Sequence, residues 1–213
     1  MSDDAQVLGR VARYYTGRLS EFGPVARGVD WNSPESQQLR FEQLCRILPG
    51  ERRFSVGDIG CGYGALLDFL KSRYRDFRYT GTDVSEAMVA AARQRHGEDP
   101  VATFSVGSEP AAPLEYCVAS GILNVRLDTS PDAWQGYVER TLALMDRSST
   151  AGFAFNCLTR YADPERMRDD LYYADPGEMF DLCKRCYSRN VALLHDYALY
   201  EFTILVRKDV KGP

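Results

Sequence analysis

The residues best able to do chemistry lie where an apolar run, Phe54-Ser55-Val56-Gly57, reaches Asp58 and is followed by Gly60, Gly62 and Gly64. Ala65-Leu66-Leu67-Asp68-Phe69-Leu70 then takes up a helical pattern. Strand, glycine turn and helix in that order suit a ligand pressed against the backbone. Glycine takes positive φ freely and carries no side chain to hold a ligand away. A second apolar run, Arg78-Tyr79-Thr80-Gly81-Thr82, ends in Asp83. An acid at the tip of a neighbouring strand is placed to accept hydrogen bonds from a ribose diol. Together the two segments predict a nucleoside site; the alternative is a glycine turn at a strand–helix junction that binds nothing.

Gly60-x-Gly62-x-x-Ala65 satisfies the dinucleotide fingerprint, with Asp83 roughly 20 residues on. An NAD(P)-dependent oxidoreductase therefore stays open. Asp58 and Gly64 point elsewhere, since a carboxylate ahead of the glycines is poorly placed for a pyrophosphate and well placed for a cation. On these residues the chain resembles the class I S-adenosylmethionine-dependent methyltransferases, whose first motif reads acid-x-Gly-x-Gly-x-Gly. Asp58-Ile59-Gly60-Cys61-Gly62-Tyr63-Gly64 matches it at every specified position. The resemblance implies S-adenosylmethionine as cofactor and S-adenosylhomocysteine as product. It implies that Gly60, Gly62 and Gly64 lie under the methionine and ribose, that Asp58 lies near the ammonium, and that Asp83 binds the ribose hydroxyls. Val84-Ser85-Glu86-Ala87-Met88 also resembles the family and adds Val84 to the cofactor set.

These residues need a scaffold. Val7, Leu8, Val11, Tyr14, Tyr15 and Leu19 recur at helical spacing over residues 4–20. After a loop through Trp31, Ser33-Pro34-Glu35 starts a second helix, which carries Phe41, Leu44, Cys45 and Leu48 and stops at Pro49-Gly50. Strands are expected at 54–59, 78–82, 101–106, 115–120, 150–157, 190–195 and 199–207, with helices at 64–75, 85–96, 132–146 and 175–188. This alternation predicts an α/β, Rossmann-like, mainly parallel seven-stranded sheet with helices on both faces. His195-Asp196-Tyr197-Ala198 is too short for a crossover helix, so the last strand should run antiparallel. The resemblance implies the strand order 3-2-1-4-5-7-6. The whole chain, 1–213, reads as one domain, with 1–49 a helical cap and 50–207 the cofactor-binding core.

Ligands of an open parallel sheet bind beyond the carboxyl ends of its strands. The third strand ends near Ser108, where an adenine edge would lie, and the fourth opens into Ser120-Gly121-Ile122-Leu123-Asn124. The fifth ends at Asn156 and the sixth at His195. His195 is a candidate general base or, equally, a structural histidine at a hairpin. Asn124 and Asn156 are the next acceptor-orienting candidates. His96, among Arg93, Gln94 and Arg95, reads as a solvated helix cap. In small-molecule methyltransferases a helix before the core commonly caps the cofactor; the resemblance implies that role for Tyr15, with Tyr14 beside it. Tyr14, Trp31, Tyr172, Tyr173 and Tyr197 are candidate acceptor contacts, each with core or lid packing as the alternative. Ser120-Gly121-Ile122-Leu123-Asn124 lacks the Asn/Asp-Pro-Pro-aromatic motif of families that methylate nucleobase or glutamine amino groups. No second acid pair is placed to clamp an arginine.

The hydrophobic content, 45% of 213 residues, suffices for one sizeable core. Net charge is −4 and no long basic run appears, which disfavours a nucleic-acid partner. The amino terminus is acidic and lacks an apolar signal core. No apolar run reaches the about 20 residues needed to span a bilayer. A cytoplasmic location without membrane attachment is expected. Cys45, Cys61, Cys117 and Cys157 fall in apolar patterns and read as core residues. Cys183-Lys184-Arg185-Cys186 has metal or redox spacing but no second pair, so packing is preferred and no metal site is expected. The functional expectation is a methyltransferase acting on oxygen or nitrogen of a small-molecule acceptor, with room for a homodimer. A catalytically silent S-adenosylmethionine-binding protein is the third class left open.

Overall fold

A computed structural model describes residues 3–208; Met1 and Ser2 of the acidic amino terminus lie outside the described residues. The chain begins with α1 (Asp3–Phe22), passes a 3-10 turn (Ala26–Val29) and enters α2 (Pro34–Leu44). There follow β1 (Phe54–Ile59), α3 (Ala65–Arg73), β2 (Phe77–Asp83), α4 (Glu86–His96), β3 (Ala102–Val106) and β4 (Leu114–Ala119). The remainder is α5 (Pro131–Arg147), β5 (Ser149–Thr159), β6 (Tyr173–Ala174), α6 (Pro176–Cys186), β7 (Asn190–Leu194) and β8 (Glu201–Arg207).

Local chemistry starts these helices where they start. Ser33, Ser130 and Asp175 each place a side-chain oxygen on backbone N–H groups of the first turn, and each is followed by proline at the first helical position. Proline has no N–H to leave orphaned there, and its φ already suits a helix. Ser85 caps α4 in the same way without a proline. The second helix ends earlier than its apolar pattern suggests: Cys45–Ile47 tightens into a 3-10 turn before Pro49.

The main sheet runs β3-β2-β1-β4-β5-β8-β7. Strands β1 to β5 pair in parallel, and β8 is antiparallel to both β5 and β7. Counting the seven long strands alone, this is the expected order 3-2-1-4-5-7-6. One strand was missed: the two residues of β6 pair in parallel with Leu158 and Thr159 at the far end of β5. Two residues carry no periodicity from which a strand can be read.

Side chains alternate between two cores, as the period of a strand requires. Cys117, Phe153 and Phe155 face Val11 of α1, Trp134 and Leu142 of α5 and Cys183 of α6. Tyr116, Val118 and Ala154 face Phe41 and Leu44 of α2 and Leu66 and Leu70 of α3. Trp134 is fully buried, and its Nε1 donates to Leu123 O at 3.2 Å. Each such side chain contributes about 1.5–3 kcal/mol through burial. Cys45, Cys61, Cys117, Cys157 and Cys183 are buried and Cys186 is exposed. Among the described residues no helix is long and apolar enough to cross a membrane.

Candidate functional site

Two cavities meet at the carboxyl ends of the parallel strands, one of about 430 Å³ and one of about 870 Å³. Tyr15, Val29 and Trp31 line both, so the two spaces adjoin across these side chains.

The smaller cavity lies on the loops that follow β1 and β2. Gly60, Gly62 and Gly64 have φ of 73°, 53° and 82°. At Gly60 a side chain is excluded twice over: by the left-handed backbone, and by Ile122, whose Cγ2 would lie 2.2 Å from a Cβ there. Gly60 N and Cys61 N both donate to Thr82 O, at 2.8 and 2.9 Å. Asp83 completes the join, its Oδ2 accepting from Gly62 N and its Oδ1 from Ser85 N, both at 2.9 Å. Burial raises the Asp83 carboxyl above its ordinary value, against the two N–H groups that stabilise its anion.

Asp58 is 2% exposed and stands at the end of β1, lining this cavity. Its Oδ2 accepts from the Tyr79 hydroxyl at 2.7 Å. Burial pushes its carboxyl up to about 7; the Tyr79 bond opposes the rise and the Asp83 charge adds to it. No cationic side chain among the described residues pairs with it. A buried carboxylate without a cation is a costly group, and a ligand bearing positive charge would relieve it. Ser120 Oγ, on the same cavity, is buried with no hydrogen-bond partner.

The expected cofactor residues Tyr15, Asp58, Gly60, Gly62, Asp83 and Val84 line this cavity, as do Ser108 and Ser120. Gly64 does not line it. It begins α3, and its carbonyl lies 2.9 Å from His96 Nε2. His96 is therefore no solvated cap. Its side chain is 3% exposed and its ring stacks on Phe104, so it braces the glycine turn from below.

The larger cavity is built by distant segments. Arg40 Nε and Nη2 grip Glu201 at 2.9 and 2.5 Å, and both residues are almost fully buried. Glu201 Oε2 also accepts from Asn156 Nδ2 at 2.6 Å, and Asn156 Oδ1 accepts from Gly121 N at 2.8 Å. This chain of bonds ties α2 to the loop after β4. Trp31 lies with its ring 3.9 Å from the Arg40 guanidinium carbon. It also packs on Gly121, where an added Cβ would come within 2.3 Å of the indole. Gly121 has φ of 79°. Arg40 Nη1 is buried and has no hydrogen-bond partner. Such an orphan donor costs about 1–3 kcal/mol.

Trp31, Tyr173, Tyr197 and Asn124 line this larger cavity. Asn124 is 4% exposed and its Oδ1 accepts from Leu158 N at 3.1 Å. The expected positions of four other residues are corrected. Tyr14 lines neither cavity and donates to Asp30, which Arg18 Nε holds at 2.6 Å. Tyr172 is partly buried against the core that α5 and α6 share, and lines neither cavity. Asn156 is fully buried, with both ends of its amide engaged by protein. His195 is exposed, lines neither cavity, and sets its ring 6.0 Å from those of Tyr161 and Phe202. The strand β7 ends at Leu194, so the turn to β8 carries His195 outward instead of holding it at the rim.

Arg40, Glu201, Gln37 and Arg166 went unread in the sequence. Gln37 lines the smaller cavity and accepts from the Tyr63 hydroxyl at 3.1 Å. Arg40 stands beside Phe41 in a helix of modest amphipathicity, and Glu201 opens a strand. Nothing local marks two charges 161 residues apart as a buried pair.

A family model described as a methyltransferase domain matches residues 56–152. The Mycobacterium tuberculosis protein Rv1506c, whose name assigns it to the methyltransferases, is 54% identical over 163 residues, 76% of this chain and 98% of its own. The trans-aconitate 2-methyltransferase of Variovorax paradoxus is 36% identical over 73 residues, 32% of this chain and 28% of its own. Among solved structures, a DhpI-SAM-HEP complex superposes with a TM-score of 0.65 at 17% identity, covering 95% of this chain and 98% of its own. Magnesium protoporphyrin IX methyltransferase from Synechocystis with bound SAM superposes with a TM-score of 0.61 at 14% identity, covering 98% of each chain. At these identities the two structures speak for the fold.

Proposed function

The chain belongs to the class I S-adenosylmethionine-dependent methyltransferases, and from that premise we propose that it transfers a methyl group to an oxygen or nitrogen of a small-molecule acceptor. The observation that carries the reading is the pair of adjoining cavities, one built on the Asp58–Gly64 turn and the other separated from it by Tyr15, Val29 and Trp31.

The residues present fit the cofactor. Asp58 is a buried acid without a cation, suited to an amino-acid ammonium. Ser120 Oγ is a buried hydroxyl without a partner. Asp83 spends one bond per oxygen on backbone N–H groups, and a carboxylate has further lone pairs for ribose hydroxyls. When bound, S-adenosylmethionine supplies a methyl group activated by a positively charged sulfur. The protein's part is then alignment and exclusion of water, which require rigid walls. Asp83 and Thr82 O hold the glycine turn, and Trp31, wedged between Gly121 and Arg40, fixes the wall between the two spaces. Tyr15 stays a neutral phenol there, since burial raises its hydroxyl well above the ordinary value.

We read residues 1–49 as a cap over a core spanning 50–207, because Tyr15, Val29, Trp31 and Arg40 all belong to that amino-terminal part. The test is incubation with methyl-labelled S-adenosylmethionine and a cell extract separated by size. Label in the low-mass fraction with release of S-adenosylhomocysteine is expected. Label confined to protein or nucleic acid would overturn the small-molecule reading.

A further inference from the structure

Among the described residues five charged ones line the larger cavity: Asp30, Arg40, Arg166, Arg168 and Glu201. Both acids are already neutralised. Arg18 and the Tyr14 hydroxyl hold Asp30, and Arg40 and Asn156 hold Glu201. Of the remaining arginines, Arg168 is gripped by Asp170 through two bonds, at 3.0 and 2.5 Å. Arg166 stands at the cavity rim, exposed, and its guanidinium makes no hydrogen bond or ion pair among the described residues. Counting the lining residues with their ion-pair partners, one positive charge is left over, on Arg166; Asp163, which accepts from the Tyr200 hydroxyl, and Glu165 stand near it but do not line the cavity. A second and independent observation points the same way. Arg40 is 5% exposed, lines the same cavity, and its Nη1 has no acceptor among the described residues.

Among the described residues the larger cavity holds no ready base. Neither histidine lines either space. Asp30 and Glu201 are held by protein partners, and Asp58 and Asp83 line the smaller cavity, on the cofactor side. Burial raises the Tyr15 and Tyr197 hydroxyls, which keeps them protonated. An acceptor in the larger cavity that must lose a proton as the methyl arrives finds no side chain there, among the described residues, suited to take it.

On this geometry, and resting on the methyltransferase reading above, we infer that the acceptor is a small organic acid, recognised through its negative charge by Arg166 and methylated on a carboxylate oxygen. The carboxylate is ionised at neutral pH and needs no base. Its oxygen forms the bond to the methyl carbon as the carbon–sulfur bond breaks, and the electron pair of that bond stays on sulfur. The negative charge of the carboxylate and the positive charge of the sulfonium cancel, and no proton moves. The product is a methyl ester. Arginine suits the recognition because its planar fork matches a carboxylate.

The experiment uses the full chain, methyl-labelled S-adenosylmethionine and a low-mass cell extract split beforehand on an anion-exchange resin. Label should enter the resin-retained acids, and mild alkali should release it as methanol, the behaviour of a carboxylic methyl ester. Arg166→Gln should raise KM for that fraction by about tenfold to a hundredfold while leaving S-adenosylhomocysteine affinity unchanged, and Arg166→Lys should restore part of the loss. Label in the neutral or cationic flow-through, label stable to alkali, or an Arg166→Gln variant with normal KM would overturn the inference. Each of these leaves the methyltransferase reading standing. Bound S-adenosylhomocysteine with label in no low-mass fraction would overturn the inference and the small-molecule reading together.

Discussion

The two cavities are held together in different ways. The smaller one depends on backbone: a glycine turn, a strand-end carbonyl and the Asp83 carboxylate bonded to N–H groups on either side of it. The larger one depends on the side chains of Trp31, Arg40, Asn156 and Glu201, the last three joined by a run of buried bonds that ends on Gly121 N. The first should tolerate changes in its walls and fail when its backbone is altered. The second should fail as a unit when one charge is removed. The contrast suits a division of labour in which a constant cofactor meets a site of fixed backbone and a variable acceptor meets a site of exchangeable side chains.

The sharpest way to break the contrast is at Arg40. Arg40→Met leaves Glu201 buried with only Asn156 as partner, and should lower stability by about 3–5 kcal/mol in chemical denaturation. The double variant Arg40→Met, Glu201→Leu should recover much of this loss. A single variant as stable as the parent would show that the pair does not organise the larger cavity. Next in size is Asp83→Ala. It should weaken S-adenosylhomocysteine binding by about 1.5–3 kcal/mol by calorimetry, through loss of charge-assisted hydrogen bonds. Because Gly62 N and Ser85 N lose their acceptor as well, the melting temperature should also fall. Unchanged affinity in a folded variant would place the ribose elsewhere.

The same contrast explains what could be read in the sequence. Asp58, the glycines and Asp83 are close in the chain, and each has a local reason to be the residue it is. The seven long strands were legible because hydrophobic runs alternate with capped helices, and their order came from the family resemblance. The larger cavity was legible only in part. Trp31, Tyr173 and Tyr197 were found as aromatics in loops, but Arg40 and Glu201 have meaning only as a pair, and pairing across the whole fold leaves no local pattern. His195 shows the reverse error. The rule that ligands lie beyond strand ends selected it, but the turn after Leu194 carries it outward. His96 was misread for want of Phe104 and the Gly64 carbonyl, both supplied by tertiary contact.

A smaller effect separates the cavities by pH. In the free protein the Asp58 carboxyl is raised to about 7, above its unfolded value, so the native state binds the proton more tightly than the unfolded state. Its burden on stability is fully present above pH 7 and is relieved as pH falls toward 4. A cation needs the ionised form. Affinity for S-adenosylhomocysteine should therefore be highest above pH 7 and fall below it, by up to about tenfold per pH unit. Asp58→Asn should flatten that profile, and a parent profile already flat between pH 5 and 8 would contradict the assignment. The smallest effect is expected at His195. It is exposed and outside both cavities, so His195→Gln should leave turnover and stability nearly unchanged, within about 0.5 kcal/mol. A large fall in turnover would return it to the site.

The central claim, that the Asp58–Gly64 turn and Asp83 form the cofactor seat, is tested most directly by calorimetric titration of the unaltered protein with S-adenosylhomocysteine and, separately, with NAD. Saturable one-site binding of S-adenosylhomocysteine and no measurable binding of NAD are expected. Saturable binding of NAD with no heat from S-adenosylhomocysteine would contradict it.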